Sequence, residues 1–171
     1  MKILDAACGT GAFASRLIKI TGNRISLTLL DACPEMLSQA EHLPAKKILG
    51  RLEHLPFADG SFDLVSCAWG IETTERPAAT IRELTRVVRP GGYVCLVTCA
   101  DAGSPRLAAW IVKRAIRLRR TGQFVDPAVI RDMASDPGIA FARPIPCKGP
   151  ALAIVIRKSQ RRNPQARAMN G

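Results

Sequence analysis

The sequence has little of what metal sites and disulfide frameworks require. It contains six cysteines but no CxxC pair, and neither of its two histidines, His42 and His54, stands beside a cysteine. The cysteines lie singly in apolar segments, at positions 8, 33, 67, 95, 99 and 147. This pattern predicts free thiols that pack as small hydrophobic side chains in a reducing compartment, and it argues against a zinc site.

Long hydrophobic runs and aromatic residues are also scarce. No apolar stretch approaches the ~18 residues of a membrane-spanning helix, and no charged segment with a cleavage site precedes the first apolar run at Ile3. Aromatic residues make up 5% of the chain, which argues against binding of nucleic acid through stacked bases. We therefore expect a cytoplasmic protein that does not act on nucleic acid.

Lysine and arginine (25 residues) outnumber aspartate and glutamate (14), which gives the 171-residue chain a formal net charge of +11. The positive charge concentrates in the segment from Lys113 to Arg120 and in the last fifteen residues. Those last residues lack hydrophobic periodicity, so we expect residues 159–171 to form a basic disordered tail. With 47% apolar residues, residues 1–158 suffice for one well-buried domain.

Short β-rich runs alternate with helical patterns along the chain. The alternation is typical of an α/β protein whose largely parallel sheet is covered by helices. The predicted strands are 2–6, 24–30, 45–49, 62–68, 93–98, 139–145 and 151–156, and "CKGP" is short enough to join the last two as a hairpin. The predicted helices are 12–20, 34–43, 77–88, 107–118 and 127–134.

A glycine-rich turn, "CGTGAFA", follows the first predicted strand. Gly9, Gly11 and Ala14 satisfy the GxGxxA fingerprint, in which glycines allow close approach of a ligand and the next helix points free N–H groups at it. The glycines alone leave NAD and other adenosyl cofactors open. Asp5 would repel a pyrophosphate but attract an ammonium group. Asp31 ends the second strand, where a carboxylate can accept both ribose hydroxyls.

Four motifs occur in the same order as in a known family. "LDAACGTG", "LLDACPEML", "LPFADGSFDLV" and "IRELTRVVRPGG" together resemble the class I S-adenosylmethionine-dependent methyltransferases, in particular the branch of the ubiquinone/menaquinone C-methyltransferases. The resemblance covers residues 3–98. It implies a Rossmann-like, doubly wound, mostly parallel seven-stranded sheet whose last strand, in "CKGPALAIVIRK", is antiparallel.

The resemblance also implies which residues contact S-adenosylmethionine. Asp5 would contact the methionine ammonium, Gly9 and Gly11 would form the turn beneath the methionine and ribose, and Asp31 would bind the ribose hydroxyls. The adenine would lie near the side chains of Cys33 and Met36 and the backbone of Leu52. The methionine portion and the substrate would lie near Ala68 and Trp69, at the end of the fourth strand.

Three departures from the family pattern stand out. Ala7 occupies the usual position of the family's first glycine, and we expect a negative φ there, at which alanine costs little. Arg51 occupies the position of an aspartate that commonly accepts the adenine amino group, and arginine has no acceptor. Only two residues precede Ile3, where the family carries a helical segment that covers the cofactor, so we expect weak cofactor binding by this chain.

These observations favour an enzyme that transfers a methyl group from S-adenosylmethionine to a small-molecule or lipid/quinone-like acceptor. No catalytic base is evident; Glu72 and Glu75 follow the fourth strand, where either a substrate-facing acid or a solvated helix-start charge could stand.

One alternative is a truncated or degenerate methyltransferase-like domain that serves as a binding or scaffolding module. An NAD-dependent oxidoreductase is a weaker alternative, since the single tyrosine, Tyr93, begins a strand. The helix from Lys113 to Arg120 presents either a solvated cationic face or a contact with anionic membrane.

Overall fold

The computed structural model describes residues 1–99, 136–147 and 151–160. Within them, seven strands and three α-helices follow the alternation that the sequence predicts. The strands are β1 (Lys2–Ala6), β2 (Ser26–Asp31), β3 (Lys46–Leu49), β4 (Phe62–Ala68), β5 (Val88–Cys99), β6 (Ile139–Pro146) and β7 (Ala151–Lys158). The helices are α1 (Ala12–Thr21), α2 (Pro34–Gln39) and α3 (Pro77–Val87), with single 3-10 turns at Gly22–Arg24 and Ile71–Thr73.

The strands form one sheet in the order β3-β2-β1-β4-β5-β7-β6. Strands β1 to β5 run parallel to one another, and β7 lies antiparallel between β5 and β6. This arrangement confirms the Rossmann-like, mostly parallel seven-stranded sheet. The strand order reverses beside β1, and in such sheets ligands bind at the carboxyl ends of the strands next to that reversal.

Alternate residues of the central strands point to opposite faces of the sheet, and each face carries its own apolar core. On one face, Leu4 of β1 belongs to a cluster with Ile81 and Leu84 of α3. On the other face, Ile3 of β1 clusters with Ala14 of α1 and with residues of β2 and α2. Each fully buried leucine or isoleucine contributes roughly 1.5–3 kcal/mol of hydrophobic stabilisation, so β1 and the turn that follows it are held from both sides.

Several element boundaries differ from the predicted ones by one or two residues, and the end of α2 and the start of β5 differ by more. Helix α2 ends at Gln39 rather than at residue 43. Beyond it the chain continues in turns, in which the N–H groups of Ala40, Glu41 and Leu43 each donate to the carbonyl three residues earlier. Helix α3 ends at Val87, and the chain is already extended at Val88, where φ is −80° and ψ is 136°. Strand β5 therefore begins five residues before the predicted start. A register shift in its pairing with β4, between Phe62 and Leu64, accommodates the glycines within it.

Helix α1 forms where the sequence predicts it. The spacing of Phe13, Leu17 and Ile20 predicts one apolar side for this helix, but two of these three residues are exposed. The side chain of Phe13 is 42% exposed and that of Ile20 is 71% exposed, whereas Ala14 is the fully buried residue of the helix. The predicted helices 107–118 and 127–134 and residues 161–171 of the predicted tail lie outside the described residues. No helix in the described part of the chain is both long and apolar enough to cross a bilayer.

The long connection between β3 and β4 is fixed to helix α3 by one arginine. The guanidinium of Arg86 donates to the Glu83 carboxylate at 2.8 Å, to Asp59 Oδ1 at 2.7 Å, and to the carbonyl oxygens of Leu55 and Phe57 at 3.2 and 2.9 Å. Glu83 in turn accepts the Leu55 N–H at 2.9 Å. These bonds hold in place a connection that passes beside the carboxyl end of β1, where the site is formed.

Candidate cofactor site

The glycine turn between β1 and α1 requires glycine at two positions. Gly9 and Gly11 have φ of 56° and 78°, a left-handed conformation that glycine adopts without steric cost. A Cβ at Gly11 would also lie 2.5 Å from Leu43 Cδ1. The Gly11 N–H donates to the Cys8 carbonyl at 2.9 Å, which closes the turn. Helix α1 begins directly after it, so the free N–H groups of its first turn face the carboxyl edge of the sheet.

Ala7 contradicts the sequence expectation of a negative φ. Its φ is +57°, in the left-handed region where the Cβ approaches the following carbonyl at a cost of roughly 1–2 kcal/mol. The neighbouring bonds impose this conformation, since the Cys8 N–H donates to the Leu30 carbonyl at 3.1 Å and the Gly9 N–H donates to Asp31 at 2.8 Å. The position has the backbone of a glycine while carrying a methyl group.

Asp31 links the glycine turn to the start of helix α2. Its Oδ2 accepts the Gly9 N–H at 2.8 Å, and its Oδ1 accepts the Cys33 N–H at 3.0 Å. The residue that caps α2 is Cys33. A carboxylate has about four lone-pair sites, so each Asp31 oxygen can accept one further hydrogen bond. The carboxylate is thus held in a fixed position and still has capacity to bind a ligand.

Asp5 lies on β1 beneath the turn, with a side chain that is 1% exposed. Its Oδ1 accepts the Ser66 hydroxyl at 2.8 Å, whereas Oδ2 is buried without a hydrogen-bond partner in the described residues. Burial raises the pKa of the Asp5 carboxyl to about 6; the Ser66 hydrogen bond lowers it and the Asp31 charge raises it. A buried acceptor without a donor is costly, and a cationic ligand group nearby would lower that cost.

A cleft of about 260 Å³ opens at the carboxyl ends of β1 and β2. Its wall consists of Ala7 and of residues 30–32, 50–53 and 73–74. Ala7, Asp31 and Leu52, which the sequence predicts as cofactor-site residues, therefore line one cleft. The volume is just below the range of about 300–1,000 Å³ for whole small-molecule sites, and it suits part of a nucleoside-containing ligand.

The other residues predicted to contact the adenine, the methionine portion or the substrate do not line the cleft. Cys33 and Met36 stand at the start of α2, and the Cys33 thiol contacts Glu35 Oε2 at 3.0 Å. Ala68 ends β4, and the half-exposed Trp69 follows with φ +61° and an N–H that donates to the Val97 carbonyl at 2.8 Å. Their contacts with a cofactor stay predictions.

Sequence reasoning missed three residues that shape this site. Ser66 is the partner of Asp5 and lies opposite it in the register of β1 and β4, a pairing that no local sequence signal indicates. Gly70 packs so closely against the turn that a Cβ there would lie 2.5 Å from Ala7 Cβ. Glu53 shares the cleft wall with Arg51. Glu72, one of the two acids that follow β4, is buried rather than solvated, whereas Glu75 is exposed.

Comparison with known proteins agrees with this geometry. Residues 4–96, which include the glycine turn, the cleft, strands β2 to β4 and most of β1 and β5, match the family described as "Methyltransferase domain". The chain belongs to this methyltransferase family. The resemblance inferred from the four motifs is therefore confirmed, and S-adenosylmethionine is the cofactor that the family uses.

Curated relatives of this methyltransferase domain include enzymes with different acceptors. The malonyl-[acyl-carrier protein] O-methyltransferase of Pectobacterium atrosepticum is 34% identical over 140 residues, which cover 80% of this chain and 53% of that protein. The ubiquinone/menaquinone biosynthesis C-methyltransferase of Rhizobium johnstonii is 36% identical over 114 residues, covering 62% of this chain and 44% of that protein. The chain thus spans about half the length of the curated relatives it matches.

Solved structures share the fold of this methyltransferase domain. A SAM-dependent methyltransferase from Thermotoga maritima has a TM-score of 0.72 at 18% identity, with 92% of this chain and 82% of that chain covered. A SAM-dependent methyltransferase from Methanosarcina mazei has a TM-score of 0.69 at 20% identity, with 93% and 92% covered. Identity this low supports the fold and not a particular acceptor.

The described part of the site has few side chains suited to acid–base catalysis or to metal binding. No group of three or more histidine, cysteine or acidic side chains stands together there as a metal site. Burial, together with the charges of Asp5 and Asp31, raises the pKa of the Cys8 thiol to about 12. Cys8 is therefore a neutral thiol near pH 7 and a poor nucleophile. The arrangement is suited to binding and orienting a ligand.

Proposed function

We propose that this chain binds S-adenosylmethionine at the carboxyl ends of β1 and β2 and transfers its methyl group to a small-molecule or lipid-like acceptor. The observation that carries the proposal is the Asp31 carboxylate, which the Gly9 and Cys33 N–H groups hold at the edge of the cleft. A carboxylate fixed in this way can accept both hydroxyls of a ribose without reorganising.

The residues present fit the rest of the cofactor. The buried Asp5 Oδ2 lacks a donor among the described residues, and an ammonium group near it would supply charge and hydrogen bonding together. Leu30 and Leu52 provide apolar wall for a purine. The Ala7 methyl group also lines the cleft and reduces the space that a glycine would leave open.

Catalysis at this site is mainly a matter of position. S-adenosylmethionine supplies an activated methyl group when it is bound. The chain's own contribution is to hold that methyl group in line with the acceptor atom, because well-oriented reactants gain about 7–11 kcal/mol over free ones. Ala68 and Trp69, at the end of β4, are the residues we assign to the acceptor side of the site.

Two classes of acceptor follow from the relatives. A malonyl thioester is the acceptor class named for one relative, and a quinone precursor is that named for others. The half-exposed Trp69 at the end of β4 offers an aromatic surface that suits the ring of a quinone precursor. The predicted membrane contact through the segment from Lys113 to Arg120 stays a prediction, since that segment lies outside the described residues.

Methyl transfer can be measured with S-adenosylmethionine labelled in its methyl group. We expect label to appear in an organic extract with either a soluble malonyl thioester or a short-chain demethylquinol. Asp31→Ala should slow that transfer at cofactor concentrations below saturation. Saturable cofactor binding without transfer to either acceptor would instead favour the alternative of a methyltransferase-like binding module.

A further inference from the structure

On the side of the sheet that carries α1, the face formed by β5, β7 and β6 is partly open. The core cluster beneath α1 and α2 includes Leu64 of β4 and no residue of these three strands. Tyr93 of β5 pairs with Leu64 and so points to the same side, where it is 38% exposed. Alternate residues of β7 are buried on the side of α3 and only partly buried on the side of α1. Among the described helices, α3 therefore packs on one side of β5 and β7, and none packs on the other.

The side chains on this open face are mostly apolar. Strand pairing places them in rows, of which the first contains Tyr93, Arg157 and Phe141 and the last contains Val97, Ala153 and Ile145. We refer to these six residues and the row between them as the open sheet face. Phe141 is 40% exposed and Ile145 is 45% exposed. The solvated side of an antiparallel sheet normally carries polar residues, and a contiguous apolar surface marks an interaction site.

Helix α1 adds a second apolar surface on the same side of the sheet. Phe13, Arg16 and Ile20 follow one another at spacings of three and four residues, which places them on one side of the helix. All three are exposed, and so is Lys19. Helix α3, on the opposite side of the sheet, has no exposed large hydrophobic residue over its whole length. The outer side of α1 and the open sheet face thus give one side of the molecule an apolar character.

Every charged residue of these two surfaces is basic. They are Arg16 and Lys19 on α1 and Arg143 and Arg157 on the open sheet face. The Arg157 guanidinium carbon lies 5.8 Å from the centre of the Tyr93 ring. A symmetric contact with a second copy of this chain would bring these like charges together, which disfavours it. Apolar, aromatic and cationic side chains in one surface suit the headgroup region of an anionic bilayer.

We propose that the outer side of α1 and the open sheet face together dock on an anionic phospholipid bilayer. The surface is separate from the segment from Lys113 to Arg120. Ala68, at the end of β4, pairs with Val97 of the open sheet face. The end of β4 that is assigned to the acceptor therefore borders the docked surface, and a lipid-like acceptor could reach it from the bilayer. That last step rests on the proposed function, whereas docking itself needs no cofactor.

The test is co-sedimentation of the purified chain with phosphatidylcholine vesicles that contain or lack phosphatidylglycerol. We expect binding to the anionic vesicles to be at least about tenfold stronger. Arg16→Gln on α1 and Arg143→Gln on the open sheet face should each weaken it by about fivefold. Phe13→Ser/Ile20→Ser should weaken it by about tenfold or more, because two apolar side chains no longer enter the bilayer. Thermal unfolding checks that each variant is folded.

Arg82→Gln is the matched control, because it removes the same charge from an exposed position on α3, on the opposite side of the sheet. It should change vesicle binding by less than about twofold. Equal losses in Arg16→Gln and Arg82→Gln would show that binding follows net charge alone and would refute the proposal. It is also refuted if the chain does not bind anionic vesicles, or if Phe13→Ser/Ile20→Ser dissociates a dimer in analytical ultracentrifugation and leaves vesicle binding unchanged. Titration with S-adenosylmethionine reports the cofactor site separately, so its failure would leave the docking surface standing.

Discussion

The contact between the glycine turn and the segment after β4 makes a quantitative prediction at Gly70. This residue has φ −100° and ψ −33°, a conformation that alanine adopts readily, so Gly70→Ala brings no backbone strain. The added Cβ would lie 2.5 Å from Ala7 Cβ and 2.9 Å from Cys67 Sγ. Overpacking of this kind costs roughly 1–3 kcal/mol, and the lower entropy of alanine in the unfolded chain returns about 0.4–1 kcal/mol. We expect Gly70→Ala to lower the free energy of unfolding by about 1–2 kcal/mol.

The same contact predicts a rescue. Ala7→Gly removes the nearest clashing atom and also relieves the left-handed φ of +57°. The double variant Ala7→Gly/Gly70→Ala should therefore recover about 1 kcal/mol more than the sum of the single changes predicts. Gly50→Ala is the matched control, because its nearest neighbour, at 3.1 Å, is the flexible end of Leu30, and we expect its effect to stay within about 0.5 kcal/mol.

Urea unfolding followed by circular dichroism measures all four variants. A change in the midpoint at constant slope reports stability alone. A Gly70→Ala variant as stable as the parent, or a double variant no better than the sum of its parts, would show that the two backbones do not approach as closely as described.

Three further outcomes are expected. Without ligand, Asp5→Asn should raise the free energy of unfolding at pH 8 by at most about 3 kcal/mol. The reason is that the raised pKa of about 6 makes the Asp5 carboxyl favour folding less as pH rises from about 4 to beyond 6. Thermal melts at pH 5 and pH 8 measure this. The same Asp5 carboxyl should make S-adenosylmethionine bind more weakly as pH falls through about 6, which titrations across that range would detect. Arg86→Met should cost about 1–2 kcal/mol in urea unfolding, since it leaves the partly buried Glu83 carboxylate without its cation.

The sequence was a sound guide to the strands but not to the conformation of the turn. β1 and β4 match their predicted limits, because each is an apolar run bounded by turn residues. The left-handed φ of Ala7 could not be predicted, since alanine avoids that region on its own. Bonds from Cys8 to Leu30 and from Gly9 to Asp31 impose it, and these join residues more than twenty positions apart.

The candidate site is likewise predictable from the sequence only in part. Asp5 and Asp31 were identifiable because each stands at a fixed position on its strand relative to the glycine turn. The buried partner of Asp5 and the position of Glu53 on the cleft wall depend on packing between distant segments. A single sequence carries no local signal for contacts of that kind, since propensity and periodicity describe near neighbours only.

The most direct test of the account is calorimetric titration of the purified chain with S-adenosylmethionine, alongside Asp31→Ala and the control Glu41→Ala, whose carboxylate is 77% exposed outside the cleft. We expect saturable one-to-one binding with a dissociation constant below about 1 mM. Asp31→Ala should weaken it by about 1–3 kcal/mol, or roughly 5- to 150-fold, while Glu41→Ala leaves it unchanged. Absence of saturable binding up to about 5 mM ligand, or equal affinity of the Asp31→Ala variant, would contradict the assignment of this cleft to the cofactor.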